Sequence, residues 1–146
     1  MAQNYRLSRA RRLVNDIIKP LARLGWAGPH TYVLTVRGRK TGKLYETPVT
    51  LIENGERWLV APYGEVGWVR NARAAGEVQL RRKHRSETLH IEEVAPTAAA
   101  PVLRRYLQQV RVARPFFDVT PTSPIAAFEG EAPRHPVFRL TTDSSS

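Results

Sequence analysis

The sequence predicts a small antiparallel β-barrel with helices packed outside it. Three observations lead there. At Thr31 the hydrophobic period changes from a helical step to a step of two, and further strand-like segments follow. Short turns join those segments, Asn54-Gly55 being the strongest hairpin signal, whereas a doubly wound parallel sheet needs a helical crossover at each step. At 146 residues the chain is one ordinary domain, long enough to bury a core without disulfides or metals. The expected organisation is a helical segment over 1–30, a barrel domain over 31–141 and a disordered tail over 142–146.

Each element has its own signal. Leu7, Ala10, Val14, Ile17, Leu21 and Leu24 share one face of an amphipathic N-terminal helix, which Pro20 ends or kinks. Two partners suit that helix: the body of the domain, or an anionic membrane surface. Thr31 to Arg37 alternates, with Tyr32, Leu34 and Val36 on one side. Glu46 to Ile52 is a second strand, and Pro48 within it marks an edge or a bulge. Arg57 to Ala61 is a third.

After the Pro62–Gly67 loop, Trp68 to Ala75 reads as a short helix closed by Gly76. Val78 to Arg82 and Glu87 to Val94 form a further hairpin, whose basic tip (Arg81 to Arg85) is expected in solvent. Thr97 caps a helix in which Ala99, Val102, Leu103, Tyr106, Leu107 and Val110 share a face, with Pro101 tolerated near its start. Beyond Arg114 the chain is rich in proline and aromatics. Tyr106, Phe116 and Phe117 suit a plug for the barrel or an apolar lid over a flat substrate. Pro136 to Leu140 is the last strand, and the serine-rich end frays.

Composition narrows the function. There is no cysteine, which removes disulfides, thiolate metal sites and a cysteine nucleophile. The four histidines show no metal-ligand spacing, and no nucleophile elbow or dinucleotide fingerprint is present, so no metal is expected. No apolar run crosses a bilayer and no secretory core precedes a cleavage site, so the cytoplasm is the expected location. The net charge is +10, and 19 of the 23 basic residues are arginine. It is uneven: residues 1–43 carry ten basic and one acidic residue, a surplus of +9. Nucleic acid, an anionic membrane or an acidic small molecule are the partners such a surplus attracts.

The segment Gly38-Arg39-Lys40-Thr41-Gly42 concentrates that charge between two strands. It is not a phosphate-binding P-loop. Three residues rather than four separate its glycines, Leu44 follows Lys43, and no helix comes next. Glycines here permit a turn whose amides converge on an anion, with two cations and a hydroxyl beside them. A solvated basic turn is the plainer alternative. For nucleic acid, stacking aromatics should interleave with the basic residues, and residues 34–44 contain none, so that partner is disfavoured.

The run Leu34 to Gly42, with Thr47-Pro48, the Asn54-Gly55 hairpin, and Trp68, Asn71 and Ala74, resembles the deazaflavin-dependent nitroreductase family. The resemblance covers residues 31–94. It implies a split β-barrel of the FMN-binding type and an F420H2-dependent oxidoreductase. Hydride would pass from reduced coenzyme F420, an 8-hydroxy-5-deazaflavin, to an electron-poor small molecule such as a nitroaromatic, quinone or activated alkene. It also implies cofactor-binding residues: Gly38, Arg39, Lys40, Thr41 and Gly42 for the phosphate and glutamate tail, Pro48 for the ring pocket. Ala61, Pro62, Tyr63 and Gly64 would meet the polar edge of the ring, and Trp68 and Asn71 would close the cleft. Trp68 is equally readable as a core residue, and Arg70 and Arg73 either reach the acidic tail or face water. No catalytic residue is singled out. FMN on the same fold is the alternative cofactor, a homodimer is compatible, and the N-terminal helix permits membrane association. The chain departs from the family pattern in its short Pro62–Gly67 loop, in Val69 and in Tyr45, where many members carry arginine.

Overall fold

The computed structural model describes residues 30–142; the expected N-terminal helix and serine-rich tail lie outside the described residues. Six strands appear in chain order: β1 (Thr31–Arg37), β2 (Leu44–Glu53), β3 (Arg57–Val60), β4 (Glu77–Arg82), β5 (Arg85–Glu93) and β6 (Val137–Thr142). All pairs are antiparallel, and the order β1-β2-β3-β6-β5-β4 closes into a barrel. The expected class is thus the observed one.

Alternation along the strands fills the barrel. Leu34, Val36, Leu51, Leu59, Leu80, Leu89, Phe138 and Leu140 point inward and are buried together. Helix α1 (Gly67–Ala75) adds Val69 and Ala72 to this core, so the short helix closes on the barrel interior. Its last turn ends at Gly76 in the left-handed conformation (φ 75°), as expected.

The opposite face of β2, β3 and β6 carries a second core. Ile52, Val60 and Val137 meet helix α2 (Pro96–Gln109) and helix α3 (Ile125–Glu131), with Phe117 and Phe128 between them. Tyr106 and Phe117 therefore cover the outside of the barrel and belong to neither a plug nor a lid. The short α3 and the 3-10 turns at Arg111–Phe116 and Ala132–Arg134 have no counterpart among the expected elements. Seven residues opening after Pro124 and containing Gly130 are too few to register a helical period.

Two local expectations change. Helix α2 starts with Ala95 as its cap and Pro96 at the first position, so Thr97 lies inside the helix and does not cap it. Pro101 consequently sits in the second turn and removes one main-chain bond there. Strand β2 begins at Leu44, two residues before the expected Glu46.

Its first half matters most for the site. Leu44 to Thr50 pairs with β1 alone, and Leu51 to Glu53 pairs with β3. Pro48 falls in the one-sided half, where a missing N–H costs no ladder bond on a second neighbour. Among the described residues no helix is long and apolar enough to cross a membrane.

Candidate active site

Strands β1 and β2 end side by side at Arg37 and Leu44, and the basic turn between them is shaped from within. Gly38 N–H donates to the Lys43 carbonyl at 2.6 Å, and Gly42 N–H to the Gly38 carbonyl at 3.0 Å. Lys43 N–H donates to Thr41 Oγ1 at 3.2 Å, and Arg37 Nη1 to the Gly42 carbonyl at 2.9 Å. Gly42 takes a positive φ of 75°, which its side-chain-free backbone permits.

Gly38 is needed for a different reason. A Cβ there would stand 2.6 Å from Tyr45 Cε2 and 3.2 Å from Thr41 Oγ1, so glycine lets the Tyr45 ring lie across the turn. Gly38→Ala is expected to cost about 1 kcal/mol through this clash. In a Tyr45→Ala background the cost should fall, leaving the smaller part due to Thr41 Oγ1 and to the Lys43 carbonyl at 3.3 Å. Denaturant titrations of the four chains measure the coupling, and additive effects would contradict the contact.

Asn71 of α1 ties the turn to the barrel. Its Oδ1 accepts Arg39 N–H at 3.1 Å and Arg39 Nη1 at 2.7 Å, and the residue is buried. Arg37 and Arg39 thus already donate to groups of the protein. Lys40 and Lys43 form no ion pair among the described residues, and the Lys40 and Thr41 amides make no hydrogen bond there. One end of the turn therefore presents two ammonium groups and two amides without partners among the described residues, beside the Thr41 hydroxyl, which accepts Lys43 N–H and lies 3.4 Å from Tyr45 OH, a set suited to an anion.

Beside it opens a cleft of about 350 Å³. Gly38, Arg39, Lys40 and Thr41 form its charged end; Tyr45, Glu46 and Thr47 come from the one-sided half of β2, and Gly67, Trp68 and Asn71 from α1. Trp68 packs against the barrel core, with its ring 6.3 Å from that of Phe138, and also lines the cleft. The cleft thus pairs a cationic end with aromatic walls.

Not every expected residue reaches it. Pro48 is half-buried and lines no part of the cleft, although it lies on the same strand as Thr47. Ala61 is in the barrel core, and its N–H donates to the Pro136 carbonyl at 2.9 Å. Pro62, Tyr63 and Gly64 lead toward Gly67 without lining the cleft themselves. Arg73 is held by Glu93 in a two-pronged contact (2.8 Å each) and by Glu65 at 3.1 Å, which raises its pKa and commits its guanidinium. Tyr45, Glu46, Thr47 and Gly67 were not singled out from sequence as binding residues. Recognising them requires knowing that half of β2 has a single neighbour.

A buried polar cluster lies behind the Pro62–Gly67 loop, and nothing in the sequence reading identified it. His135 Nε2 lies 2.8 Å from Glu131 Oε2 and Nδ1 lies 2.8 Å from the Pro62 carbonyl, with both side chains buried. The imidazole stacks on Phe117 with centroids 3.8 Å apart and planes 11° apart. Burial pushes the imidazole below its ordinary pKa, opposed by the Glu131 carboxylate. Glu131 also accepts Asp118 N–H at 3.1 Å and Arg134 Nη2 at 2.5 Å. The i, i+4 spacing of Glu131 and His135 was the one available signal.

Arg134 Nη1 in turn donates to Asp118 Oδ2 at 2.7 Å, which holds that carboxyl below the ordinary aspartate range. The stabilisation is present above the unfolded value of about 3.9 and is lost as pH falls through the lower folded value. Asp118→Asn should therefore flatten the acid limb of stability below about pH 4 while leaving its shape near neutrality intact, as urea melts across pH will show.

Six antiparallel strands closed into a barrel with helices outside make a split β-barrel, and a cationic, aromatic-walled cleft opens at the end of two of its strands. Residues 11–124 match the model of the F420H(2)-dependent quinone reductase family, and the chain belongs to that family of oxidoreductases. No curated protein matches the chain. Among solved structures it is similar to Atu2129 of Agrobacterium tumefaciens, at a TM-score of 0.58 and 15% identity, covering 98% of this chain and 57% of that one. A chain described as a domain-swapped dimer is similar at a TM-score of 0.53 and 17% identity, covering 90% and 96% of the two chains. HutZ, the haem storage protein of Vibrio cholerae, is similar at 0.55 and 10% identity, covering 89% and 90%. At these identities the likenesses speak for the fold.

Proposed function

We propose that the cleft binds reduced coenzyme F420, with the Lys40–Thr41 end taking its phosphate and acidic tail, and that the enzyme reduces an electron-poor small molecule. Nitroaromatics, quinones and activated alkenes are the acceptor classes. The observation that carries this reading is the juxtaposition of uncommitted donors at Lys40 and Thr41 with the Trp68 and Tyr45 walls of one cleft. Those residues fit the group: cations and amides suit phosphate and carboxylate, and the aromatic walls suit a flat ring.

The coenzyme, when bound, supplies the hydride. The protein's own residues bind and orient. Lys40 and Lys43 compensate the negative tail, and Thr41 offers a hydroxyl beside them. Asn71 acts on Arg39 and keeps the turn docked on α1. Trp68 restricts water on one side of the cleft.

FMN is the second reading, because a single phosphate also matches the uncommitted donors at Lys40 and Thr41. A homodimer accompanies either reading, in line with the domain-swapped dimer among similar structures, and light scattering measures it. Fluorescence titration with reduced coenzyme F420 and, separately, with FMN is the direct test. Saturable micromolar binding of the deazaflavin, with weaker binding of FMN, is expected. No binding of the deazaflavin would overturn the reading.

A further inference from the structure

The pairing of β3 with β6 runs out at two prolines. Val60 pairs with Val137, and the next bond, Ala61 N–H to the Pro136 carbonyl, continues the ladder at 2.9 Å. Beyond it Pro62 and Pro136 have no N–H to give. The Pro62 carbonyl nevertheless has a donor, because the His135 side chain reaches it at 2.8 Å. A carbonyl only accepts, so Nδ1 carries the proton of that bond. Glu131 Oε2 holds the other side of the ring at 2.8 Å, and the Phe117 ring fixes its plane. Whichever of Nε2 and Oε2 holds the proton between them, the Nδ1–H bond to Pro62 stays.

We propose that His135 is a positioning residue for the cleft: where the ladder ends, its side chain supplies the donor for the Pro62 carbonyl and so fixes the start of the loop that leads to Gly67 and Trp68. Further along the loop other contacts take over: Tyr63 meets Phe116 edge-on at 4.7 Å, Glu65 pairs with Arg73 at 3.1 Å and Val66 packs on the barrel core, so His135 sets the loop at its first residue. Gly64 N–H reaches the Ala61 carbonyl only at 3.4 Å, and Val66 N–H bonds back to Gly64 at 2.9 Å. Gly64 takes φ +87° with its Cα turned to the Arg134 carbonyl, where a Cβ would sit at 3.4 Å. The same C-terminal segment thus holds the loop at Ala61 and Pro62 and passes close to Gly64. Val66 then caps α1, and the chain enters the cleft wall. The effect on binding rests on the reading that the cleft holds the deazaflavin coenzyme.

Asparagine and glutamine separate the two bonds of the ring. An asparagine amide can take the place of Nδ1, and a glutamine amide reaches toward the Nε2 position. Both variants lose the stacking on Phe117, so a packing role alone affects them alike. His135→Gln is expected to weaken coenzyme binding by about tenfold, the loss of one hydrogen bond's worth of order, and His135→Asn by no more than about twofold. Hydrogen exchange at residues 63–66 should accelerate in the glutamine variant and stay near wild type in the asparagine variant, with or without coenzyme. Equal behaviour of the two variants in exchange overturns the proposal. A wild-type chain that fails to bind coenzyme overturns the reading of the cleft instead, and the exchange rates then decide the anchor alone. Should either variant fail to fold, the wild-type imidazole decides: its nitrogen shifts must show Nδ1 protonated, and an unprotonated Nδ1 refutes the bond.

Discussion

Lys40→Ala weakens binding of the reduced deazaflavin coenzyme by about 10- to 100-fold, the worth of one charge-assisted hydrogen bond to a phosphate or carboxylate. The melting temperature should stay within a degree or so of wild type, because exposed side chains without partners add little to stability. The two expectations have one cause. Lys40 is exposed and has no ion pair or hydrogen bond among the described residues, so its removal disturbs nothing in the free protein. Arg39 behaves differently. Its guanidinium and its amide both donate to Asn71, so Arg39→Ala loosens the turn as well as removing a charge. Calorimetric or fluorescence titration beside a thermal melt separates the two cases. If Lys40→Ala binds as wild type does, the anionic end of the ligand lies away from this turn.

That contrast also marks what the sequence could convey. The basic turn was legible because its chemistry is local: glycines, cations and a hydroxyl stand within five residues of one another. The choice between a solvated turn and a built one was not legible, since it depends on Asn71, 32 residues further on, accepting both Arg39 donors. Asn71 was expected in the cleft and is there, yet its Oδ1 faces the turn it holds. The strands were legible for a similar reason. A period of two survives in any sheet, and Pro48 correctly marked the strand half with one neighbour. Tyr45 and Thr47 were not read as cleft residues because a cleft wall is defined by the absence of a strand beside it. The segment from Ala61 to Gly64 was expected to meet the polar edge of the ring; that Pro62 has no N–H is plain from the sequence, but that Ala61 N–H is committed to the Pro136 carbonyl is not. The barrel register, which no local pattern contains, decides this.

Glu131→Ala is expected to destabilise the fold by about 3–5 kcal/mol, the range found when one partner of a buried charged pair is removed. Glu131 is 2% exposed, accepts from the Asp118 amide and Arg134, and shares a proton with His135 Nε2 across 2.8 Å. Alanine leaves the Asp118 amide without its acceptor and His135 Nε2 without its partner, and opens a void beside the imidazole. Arg134 is about half exposed and returns to water, so it adds little to the loss. Glu131→Gln keeps the volume and one acceptor oxygen, and its cost should fall to about 1–2 kcal/mol. The difference between the two variants then measures how much of the cluster depends on acceptors and volume together. Urea denaturation supplies both numbers, and an alanine variant within about 1 kcal/mol of wild type would mean that water fills the site. The location of the damage is informative too. Glu131 lies in the second core, outside the barrel, so hydrogen exchange should rise first in α3 and in the loop at Pro62, while the inner residues of β1 and β4 stay protected.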